Sequence, residues 1–346
     1  MAATPGTSAS QPAAADFDIT RIINHYNERA PNYDDEFHMS LANEFVVWAK
    51  PKPGERLLDL ACGTGLVGFA MNSCNPLSLV HGIDISTGML DIARSKARSP
   101  PNYTSSNGMT LRAADSDPPK ANFIFEHHNV RSIATLSSFT GQQRTFDIIT
   151  ICSAFILLPS PLESLKSWIP YLNLSSGRIV LDVPHPSSMI GLNIFNRPPP
   201  EFRHHVLGRR DWLGHSKASA IDALTTLMKD AGLATVRVFE SKIFRTIPAA
   251  TPIEDPTYGS LGEEDKSGIR EWPATIETGG VVFDVMTRNS VAGSLMAGWR
   301  EGTEEEKQKK RDWWIEEWVK LGVVNEKGEK VVREEGRVII GIGSKR

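Results

Sequence analysis

The residues with the clearest chemical meaning lie in one short stretch, residues 59–68, which read DLACGTGLVG. Gly63, Gly65 and Gly68 have the spacing G-x-G-x-x-G, and a short apolar run precedes them. Glycine lets the backbone approach a ligand closely and adopt a positive φ. The start of the helix that follows offers free N–H groups and a partial positive charge. A strand, a glycine turn and a helix in this order predict a nucleotide-binding site at the carboxyl end of a parallel sheet.

A second acidic residue, Asp84, lies in the next apolar run and follows Gly65 by 19 residues. An acid at this distance accepts hydrogen bonds from the ribose hydroxyls of a bound nucleotide. The glycine spacing alone fits a dinucleotide equally well. Asp59 distinguishes the two cofactors, because a carboxylate beside the turn repels a pyrophosphate and attracts a cation such as the ammonium group of S-adenosylmethionine. The two acids together therefore favour S-adenosylmethionine over NAD.

These motifs resemble those of the class I S-adenosylmethionine-dependent methyltransferases. Residues 59–65 are similar to the first motif of that family, and residues 82–86 are similar to the second. An upstream segment that contains Tyr26 and Tyr33 resembles the entry segment of the small-molecule, UbiE-like branch. The resemblance covers about residues 20–240 and again the end of the chain.

The resemblance also implies which residues contact the cofactor. Asp59 and the glycines hold the methionine part, Asp84 holds the ribose, and Asn129 lies near the adenine. For Tyr26 and Tyr33 a second interpretation stays open, in which they only pack the N-terminal helices on the sheet. The full predicted set is Tyr26, Tyr33, Asp59, Ala61, Gly63, Gly65, Asp84, Ile85, Met89, Asn129, Val130 and Ser153.

The order of predicted elements indicates an α/β fold. Two helices separated at Pro31 come first, and short apolar strands then alternate with helices. The family pattern implies a Rossmann-like sheet of seven strands in the order 3-2-1-4-5-7-6, with the last strand antiparallel. We expect N-terminal helices and a helical C-terminal insertion around this sheet.

Composition and patterning divide the chain into five segments. The first segment is rich in Ala, Pro, Ser, Thr and Gly, which is typical of disorder. We expect a disordered tail at 1–16, cofactor-covering helices at 17–50, the methyltransferase core at 51–244, an insertion that caps the substrate at 245–335, and the final strand of the core sheet at 336–346.

The insertion contains a predicted helix that begins with a capping box, in which Thr303 is followed by Glu306. Trp313, Trp314 and Trp318 lie within this helix. Such a cluster usually packs a helix onto its own domain. The alternative is that these rings line an apolar pocket for an aromatic acceptor.

Methyl transfer requires alignment and desolvation, and an acceptor that must lose a proton also benefits from a base. His185, which lies between two prolines after the fifth strand, is the first candidate for that base, and His204 and His205 come next. A structural or surface role is the alternative for all three. The adjacent His127 and His128 suggest a metal at first sight, but neighbouring side chains on an extended chain point apart. We therefore predict no metal site.

The overall composition is that of a globular protein. Lys and Arg total 38 and Asp and Glu total 41, so the formal net charge is −3. This balance gives no electrostatic reason to expect nucleic acid or an anionic membrane as a partner. The three cysteines have no metal or redox spacing, and the sequence contains neither a long apolar run nor a signal peptide pattern. These features predict a cytoplasmic protein.

The sequence thus predicts an enzyme that transfers a methyl group from S-adenosylmethionine to a small, hydrophobic or aromatic molecule, with secondary metabolism as the expected setting. We expect the acceptor to attack the sulfonium methyl in line with the leaving sulfur, in an SN2 displacement. Two alternatives stay open: an NAD-type oxidoreductase, and a cofactor-binding protein with a regulatory or cyclisation role.

Overall fold

The computed structural model describes residues 19–34, 36–98, 103–104, 110–111, 122–139, 145–195, 197–205, 213, 216–243, 269–288 and 297–345. The predicted tail at 1–16 and the first part of the predicted insertion, 245–268, lie outside these ranges.

A seven-stranded sheet forms the centre of the fold. Its strands are β1 (Arg56–Leu60), β2 (Leu79–Asp84), β5 (Asn122–His127), β6 (Ile148–Ile151), β7 (Arg178–Pro184), β8 (Thr235–Glu240) and β12 (Val338–Ser344). They lie in the order β5-β2-β1-β6-β7-β12-β8. The first five are parallel, whereas β12 is antiparallel to both of its neighbours. This is the predicted order 3-2-1-4-5-7-6, and the prediction is confirmed.

The remaining elements are helices and two small sheets. The helices are α1 (Ile19–Arg29), α2 (Glu36–Ala49), α3 (Leu66–Cys74), α4 (Thr87–Arg98), α5 (Pro161–Trp168), α6 (Ile190–Phe195), α7 (Lys217–Asp230), α8 (Ile276–Arg288) and α9 (Glu304–Lys320). The strands β3 (Tyr103–Thr104) and β4 (Thr110–Leu111) form a hairpin, and β9 (Ile269–Pro273), β10 (Val323–Val324) and β11 (Lys330–Glu335) form a three-stranded sheet.

The central strands bury side chains on both faces of the sheet. On β1, Leu58 and Leu60 belong to one apolar core, which includes side chains of α5 and α7. Leu57 belongs to a second core, which includes side chains of α2 and α3. Because successive side chains of a strand point to opposite faces, a strand covered by helices on both sides is mainly apolar on both. This explains the apolar runs in the sequence, which a few buried polar residues such as Asp59 and Asp182 interrupt.

The N-terminal helices are fixed over the glycine turn by polar contacts. Asn27 on α1 accepts a hydrogen bond from the Ser86 hydroxyl at 2.8 Å. Asp34 accepts one from the Thr64 hydroxyl at 2.5 Å and forms an ion pair of 2.7 Å with Lys96. Lys96 is only 7% exposed. A buried pair of this kind is costly to break from one side, so it ties the N-terminal segment to the turn.

The insertion between β8 and β12 has an apolar core of its own, formed by α8, α9, the sheet β10-β11-β9 and α6. Trp299, Trp314 and Trp318 lie buried in it. For Trp314 and Trp318 the structure therefore supports the packing interpretation. The predicted capping box at Thr303 is confirmed. The small sheet was not predicted, because its strands are short and carry few apolar residues.

The insertion leaves and rejoins the central sheet at one point. The N–H of Ser241 donates to the carbonyl of Val338 at 2.9 Å, and the N–H of Val338 donates to the Ser241 hydroxyl at 3.0 Å. The insertion also contacts the loop after β7, where the N–H of Glu335 donates to the Ser187 carbonyl at 2.9 Å. The loop after β7 lies at the carboxyl edge of the parallel strands, so the insertion reaches that edge.

Candidate functional site

The loops at the carboxyl ends of β1, β2, β5 and β6 enclose a cavity, and α1 forms one of its walls. It contains about 740 Å³ of space, counted out to its open mouth. Its lining residues are Ile19, Ile22, Tyr26, Tyr33, Ala61, Gly63, Asp84, Ile85, Met89, Asn129, Val130, Arg131, Cys152, Ser153, Ala154, Leu157, Leu158 and Pro159.

Most of the predicted cofactor residues meet at this cavity. Asp59 and Gly65 are not part of its lining. The ten predicted residues that line it are Tyr26, Tyr33, Ala61, Gly63, Asp84, Ile85, Met89, Asn129, Val130 and Ser153. The fold thus brings together residues from the N-terminal segment, from α4 and from the loops after β1, β2, β5 and β6, while their individual roles toward a cofactor stay predictions.

The glycine turn has the backbone conformation that its sequence predicts. Gly63 and Gly65 have φ values of 54° and 82°, in the left-handed region that glycine adopts most easily. At Gly65 an added Cβ would lie 2.8 Å from a ring carbon of Phe69. The need for glycine at this position therefore comes from the φ value and from packing inside the turn, and not from approach to the cavity.

Asp84 connects the end of β2 to the glycine turn. Its Oδ2 accepts a hydrogen bond from the Gly63 N–H at 2.7 Å, and its Oδ1 accepts one from the Ser86 N–H at 2.8 Å. Burial raises the pKa of Asp84, while these N–H groups act in the opposite direction. Each carboxylate oxygen has a second lone pair. Asp84 is therefore able to accept further hydrogen bonds from hydroxyl groups in the cavity.

Asp59 lies behind the cavity wall and is 2% exposed. Its Oδ1 accepts a hydrogen bond from the Thr150 hydroxyl at 2.7 Å. Burial raises the pKa of Asp59 to about 7. Asp59 is therefore not part of the described lining, and its attraction to the ammonium group of the cofactor stays a prediction.

Sequence reasoning missed Asp182, which is 3% exposed near the end of β7. Its Oδ1 accepts a hydrogen bond of 2.7 Å from the N–H of the predicted residue Ser153. Ser153 has a φ of 55°, a conformation that costs a non-glycine residue about 1–3 kcal/mol. An acid inside a strand that is otherwise apolar was the available indication, because Asp59 and Asp84 occupy the same kind of position.

Aromatic rings from the N-terminal segment line the cavity beside the glycine turn. The rings of Tyr26 and Tyr33 meet edge to face with centroids 6.3 Å apart, and the centroid of the His38 ring lies 4.2 Å from that of Tyr33. Arg29 lies 4.8 Å from the centre of the Tyr33 ring. Burial raises the pKa of Tyr33 well above its usual range. The Tyr33 phenol therefore stays protonated and is a hydrogen-bond donor.

The loop after β5 supplies another wall. Asn129 accepts the N–H of Arg131 at 3.0 Å and caps the short helix that follows, and Val130 is buried against the apolar core. Arg131 is exposed and lines the cavity, although it was not predicted. Apolar residues that were also missed come from α1 and from the turn after β6: Ile19, Ile22, Leu157, Leu158 and Pro159. A helix residue that reaches over a sheet edge carries no local motif, which explains why Ile19 and Ile22 were missed.

The structure places His185 away from the described lining of the cavity. Its Nδ1 accepts the N–H of Ser187 at 3.1 Å, so the neutral ring carries its proton on Nε2. Nε2 lies 3.7 Å from Glu240, too far for a hydrogen bond, and has no hydrogen-bond partner among the described residues. Burial lowers the pKa of His185. Its role as a base stays a prediction, and the side chains of His204 and His205 lie outside the described residues.

Two kinds of feature are absent from the described ranges. Within them, no three His, Cys, Asp or Glu side chains lie together as metal ligands. The helices of the described ranges include none that is long and apolar enough to cross a membrane.

Comparison with protein families identifies part of the chain. Residues 57–169 match a family described as a methyltransferase domain. The match runs from β1 to the end of α5 and includes both sequence motifs. Most of the cavity loops lie within it.

Two curated relatives carry methyltransferase names. Aklanonic acid methyltransferase DauC of Streptomyces sp. (strain C5) is 26% identical over 186 residues, which cover 53% of this chain and 71% of the relative. Demethylmenaquinone methyltransferase of Symbiobacterium thermophilum is 32% identical over 84 residues, which cover 22% of this chain and 34% of the relative.

Two solved structures resemble the chain with low TM-scores. The plantazolicin methyltransferase BpumL in complex with S-adenosylhomocysteine has 14% identity and a TM-score of 0.42, covering 96% of this chain and 92% of that chain. Magnesium protoporphyrin IX methyltransferase from Synechocystis PCC 6803 with bound S-adenosylmethionine has 15% identity and a TM-score of 0.41, covering 67% of this chain and 92% of that chain.

Proposed function

We propose, from the premise that this chain is a class I S-adenosylmethionine-dependent methyltransferase, that it methylates a small and mainly apolar molecule in the cavity at the carboxyl edge of its sheet. The observation that carries this proposal is the convergence of ten predicted residues on that cavity. Bound S-adenosylmethionine supplies an activated methyl group on a sulfonium centre.

The cavity suits this cofactor. Asp84 lies at the end of β2 with free lone pairs for the ribose hydroxyls, and the loop at Asn129 and Val130 offers a polar and an apolar contact for the adenine. Gly63 lines the cavity, and a Cβ added there would contact the Tyr33 ring at 3.6 Å. In the proposed reaction these groups bind and orient the donor, and the N-terminal helices exclude water.

The chemistry of the walls supports an apolar acceptor. Among the described lining residues, Asp84 and Arg131 alone have carboxylate or guanidinium groups, while five belong to the apolar set of α1 and the turn after β6. A charged group placed against these apolar side chains would lose hydration that they cannot replace. The name of the relative DauC, which gives aklanonic acid as its substrate, is consistent with a small-molecule acceptor. Assignment to the UbiE-like branch and to the cytoplasm are further parts of the proposal.

Binding and turnover test the proposal separately. Calorimetry with S-adenosylhomocysteine and with NAD should show binding of the first compound alone. A donor with an isotope-labelled methyl group should then label apolar or aromatic acceptors and leave small charged acceptors unlabelled. Binding of NAD alone would indicate an oxidoreductase, whereas S-adenosylhomocysteine binding without turnover on any acceptor would indicate a regulatory or cyclisation role.

The proposed base can be tested by exchange of one side chain. His185→Gln should keep turnover within about threefold of the wild type, because the basic nitrogen of His185 is already bonded to Ser187 and does not face the described cavity. A loss of turnover by more than about tenfold at unchanged cofactor affinity would instead support the sequence prediction that His185 is the base.

We also propose that the insertion covers the acceptor. Its contacts with the loop after β7, through Ser187 and Glu335, bring it to the carboxyl edge of the sheet, where the cavity lies. Hydrogen exchange over residues 269–288 and 297–335 should slow when S-adenosylhomocysteine and an acceptor are both bound. Unchanged exchange in these ranges would remove the cap from the proposal.

A further inference from the structure

Two acids of the sheet repeat one arrangement. Asp84, at the end of β2, accepts the N–H of Gly63 from the loop after the neighbouring strand β1 at 2.7 Å. Asp182, near the end of β7, accepts the N–H of Ser153 from the loop after the neighbouring strand β6, also at 2.7 Å. In both cases the donor has a positive φ and lines the cavity. The repeat indicates that each acid stabilises one loop of the cavity wall by accepting the N–H of a residue with a positive φ.

The need for such an acceptor is greater at Ser153 than at Gly63. Serine has a Cβ, which makes the left-handed conformation unfavourable, whereas glycine adopts it easily. The turn also carries Cys152 and Ala154, and both of these residues line the cavity. Relaxation of Ser153 to a negative φ would therefore move three lining residues at once.

The surroundings of Asp182 identify this bond as its main polar interaction. No Lys, Arg or His forms an ion pair with it in the part of the chain that the structure describes, and burial raises its pKa to about 7. Ile340 lies opposite it on β12. A buried acid without a cation is unfavourable by itself. Its position is thus explained better by the Ser153 N–H than by packing of the sheet.

We propose that Asp182 is a positioning residue of this methyltransferase, because its carboxylate holds the turn at Cys152, Ser153 and Ala154 in the shape that the donor cavity requires. The inference rests on the proposed function of the cavity as the S-adenosylmethionine site. It adds a residue outside the cavity lining to the set on which donor binding depends.

The test uses calorimetric binding of S-adenosylhomocysteine to the full chain. Asp182→Leu keeps a similar size without an acceptor and should weaken binding about tenfold or more, since a buried N–H is left unpaired. Asp182→Asn keeps an acceptor oxygen and should bind within about threefold of the wild type. Adding Ser153→Gly to Asp182→Leu should raise the affinity for S-adenosylhomocysteine at least about threefold above that of Asp182→Leu alone, because glycine adopts the positive φ without support.

The recovery by Ser153→Gly is the result that a merely structural role would not produce. Unchanged binding by Asp182→Leu would overturn the proposal, and so would an equal loss in Asp182→Asn and in the double variant. If the wild type itself bound no S-adenosylhomocysteine, the proposed function would fail instead, so the two failures are distinguishable.

If Asp182→Leu does not fold, hydrogen exchange on the wild type decides. The Ser153 amide should exchange slowly, as expected for a buried bonded N–H, and more slowly with S-adenosylhomocysteine bound. Exchange as fast as that of an exposed loop amide would overturn the proposal.

Discussion

The sheet edge and the insertion use their conspicuous residues in opposite ways. At the sheet edge, glycines and acids that stand out in the sequence line a cavity or support its walls, as Gly63 and Asp84 do. In the insertion, the tryptophans that stand out fill an apolar core and leave the described cavity untouched. The comparison teaches that turn residues at strand ends indicate a site, whereas large apolar side chains on a helix indicate packing.

The largest expected effect concerns the insertion. Trp314→Ala should lower the free energy of unfolding of the insertion by about 3–5 kcal/mol, because it removes a fully buried side chain that stacks on Trp318. Affinity for S-adenosylhomocysteine should remain that of the wild type. Chemical denaturation and calorimetry measure the two effects. The matched control is Trp313→Ala on the same helix. Because the Trp313 ring is partly exposed, its removal should lower the free energy of unfolding by less. Weaker binding of S-adenosylhomocysteine by Trp314→Ala would contradict the conclusion that this tryptophan serves packing alone.

The next effect concerns the sheet edge. Asp84→Ala should weaken S-adenosylhomocysteine binding by about 100-fold or more, because two charge-assisted bonds to the ribose are each worth about 1.5–3 kcal/mol. The Gly63 and Ser86 N–H groups also lose their acceptor. Asp91→Ala, an exposed acid on α4, is the control and should bind normally. Equal affinities of the two variants would remove Asp84 from the site.

A smaller effect is expected from the glycine turn. Gly65→Val should weaken binding by at least about tenfold, because a β-branched residue disfavours the positive φ and its Cβ meets Phe69. Gly54→Val shares the positive φ but has open space around the added Cβ. That control should lose stability and keep its affinity. An equal loss of affinity in both variants would show that backbone strain anywhere in the chain weakens binding, and normal affinity in both would show that the turn at Gly65 does not matter for binding.

The smallest effect is a pH dependence of stability in the core. Burial raises the pKa of Asp59, Asp182 and Glu44 to about 7, whereas these groups ionise near pH 4 in the unfolded chain. The folded state therefore binds more protons, and stability falls as the pH rises toward and through 7. His25, whose pKa is lowered to about 4, acts in the opposite direction below pH 6.5.

The informative range for this effect is thus pH 6.5 to 8, where the protein without ligand should show a falling Tm. The double variant Asp59→Asn/Asp182→Asn should have a flatter profile. Lys309→Gln, which removes an exposed ion pair on α9, should not change the slope. A Tm that rises across this range would contradict the assignment of these acids.

Much of the fold was predictable because its determinants are local. The glycine turn at Gly63, the acid at Asp84 and the apolar run of each strand lie within a few residues of the elements that they form. Ile19 and Arg131 were missed because they reach the cavity through tertiary packing, which leaves no pattern in the sequence. Asp182 was missed because its partner, Ser153, lies in the loop after another strand. The cavity walls are therefore only partly encoded by motifs.

The hydrogen bonds between Ser241 and Val338 join the two ends of the insertion. Since the chain departs from and returns to one spot on the sheet, the segment between them forms a cassette. Replacing it by a short hairpin should leave the strand order intact, and among the described residues the apolar side chains of α6 and Phe202, which pack against the insertion, would need polar replacements. Under the proposed role of the insertion as the acceptor cover, exchange of this cassette between related enzymes is a simple route to new acceptor preferences, because donor binding and acceptor choice would then change independently.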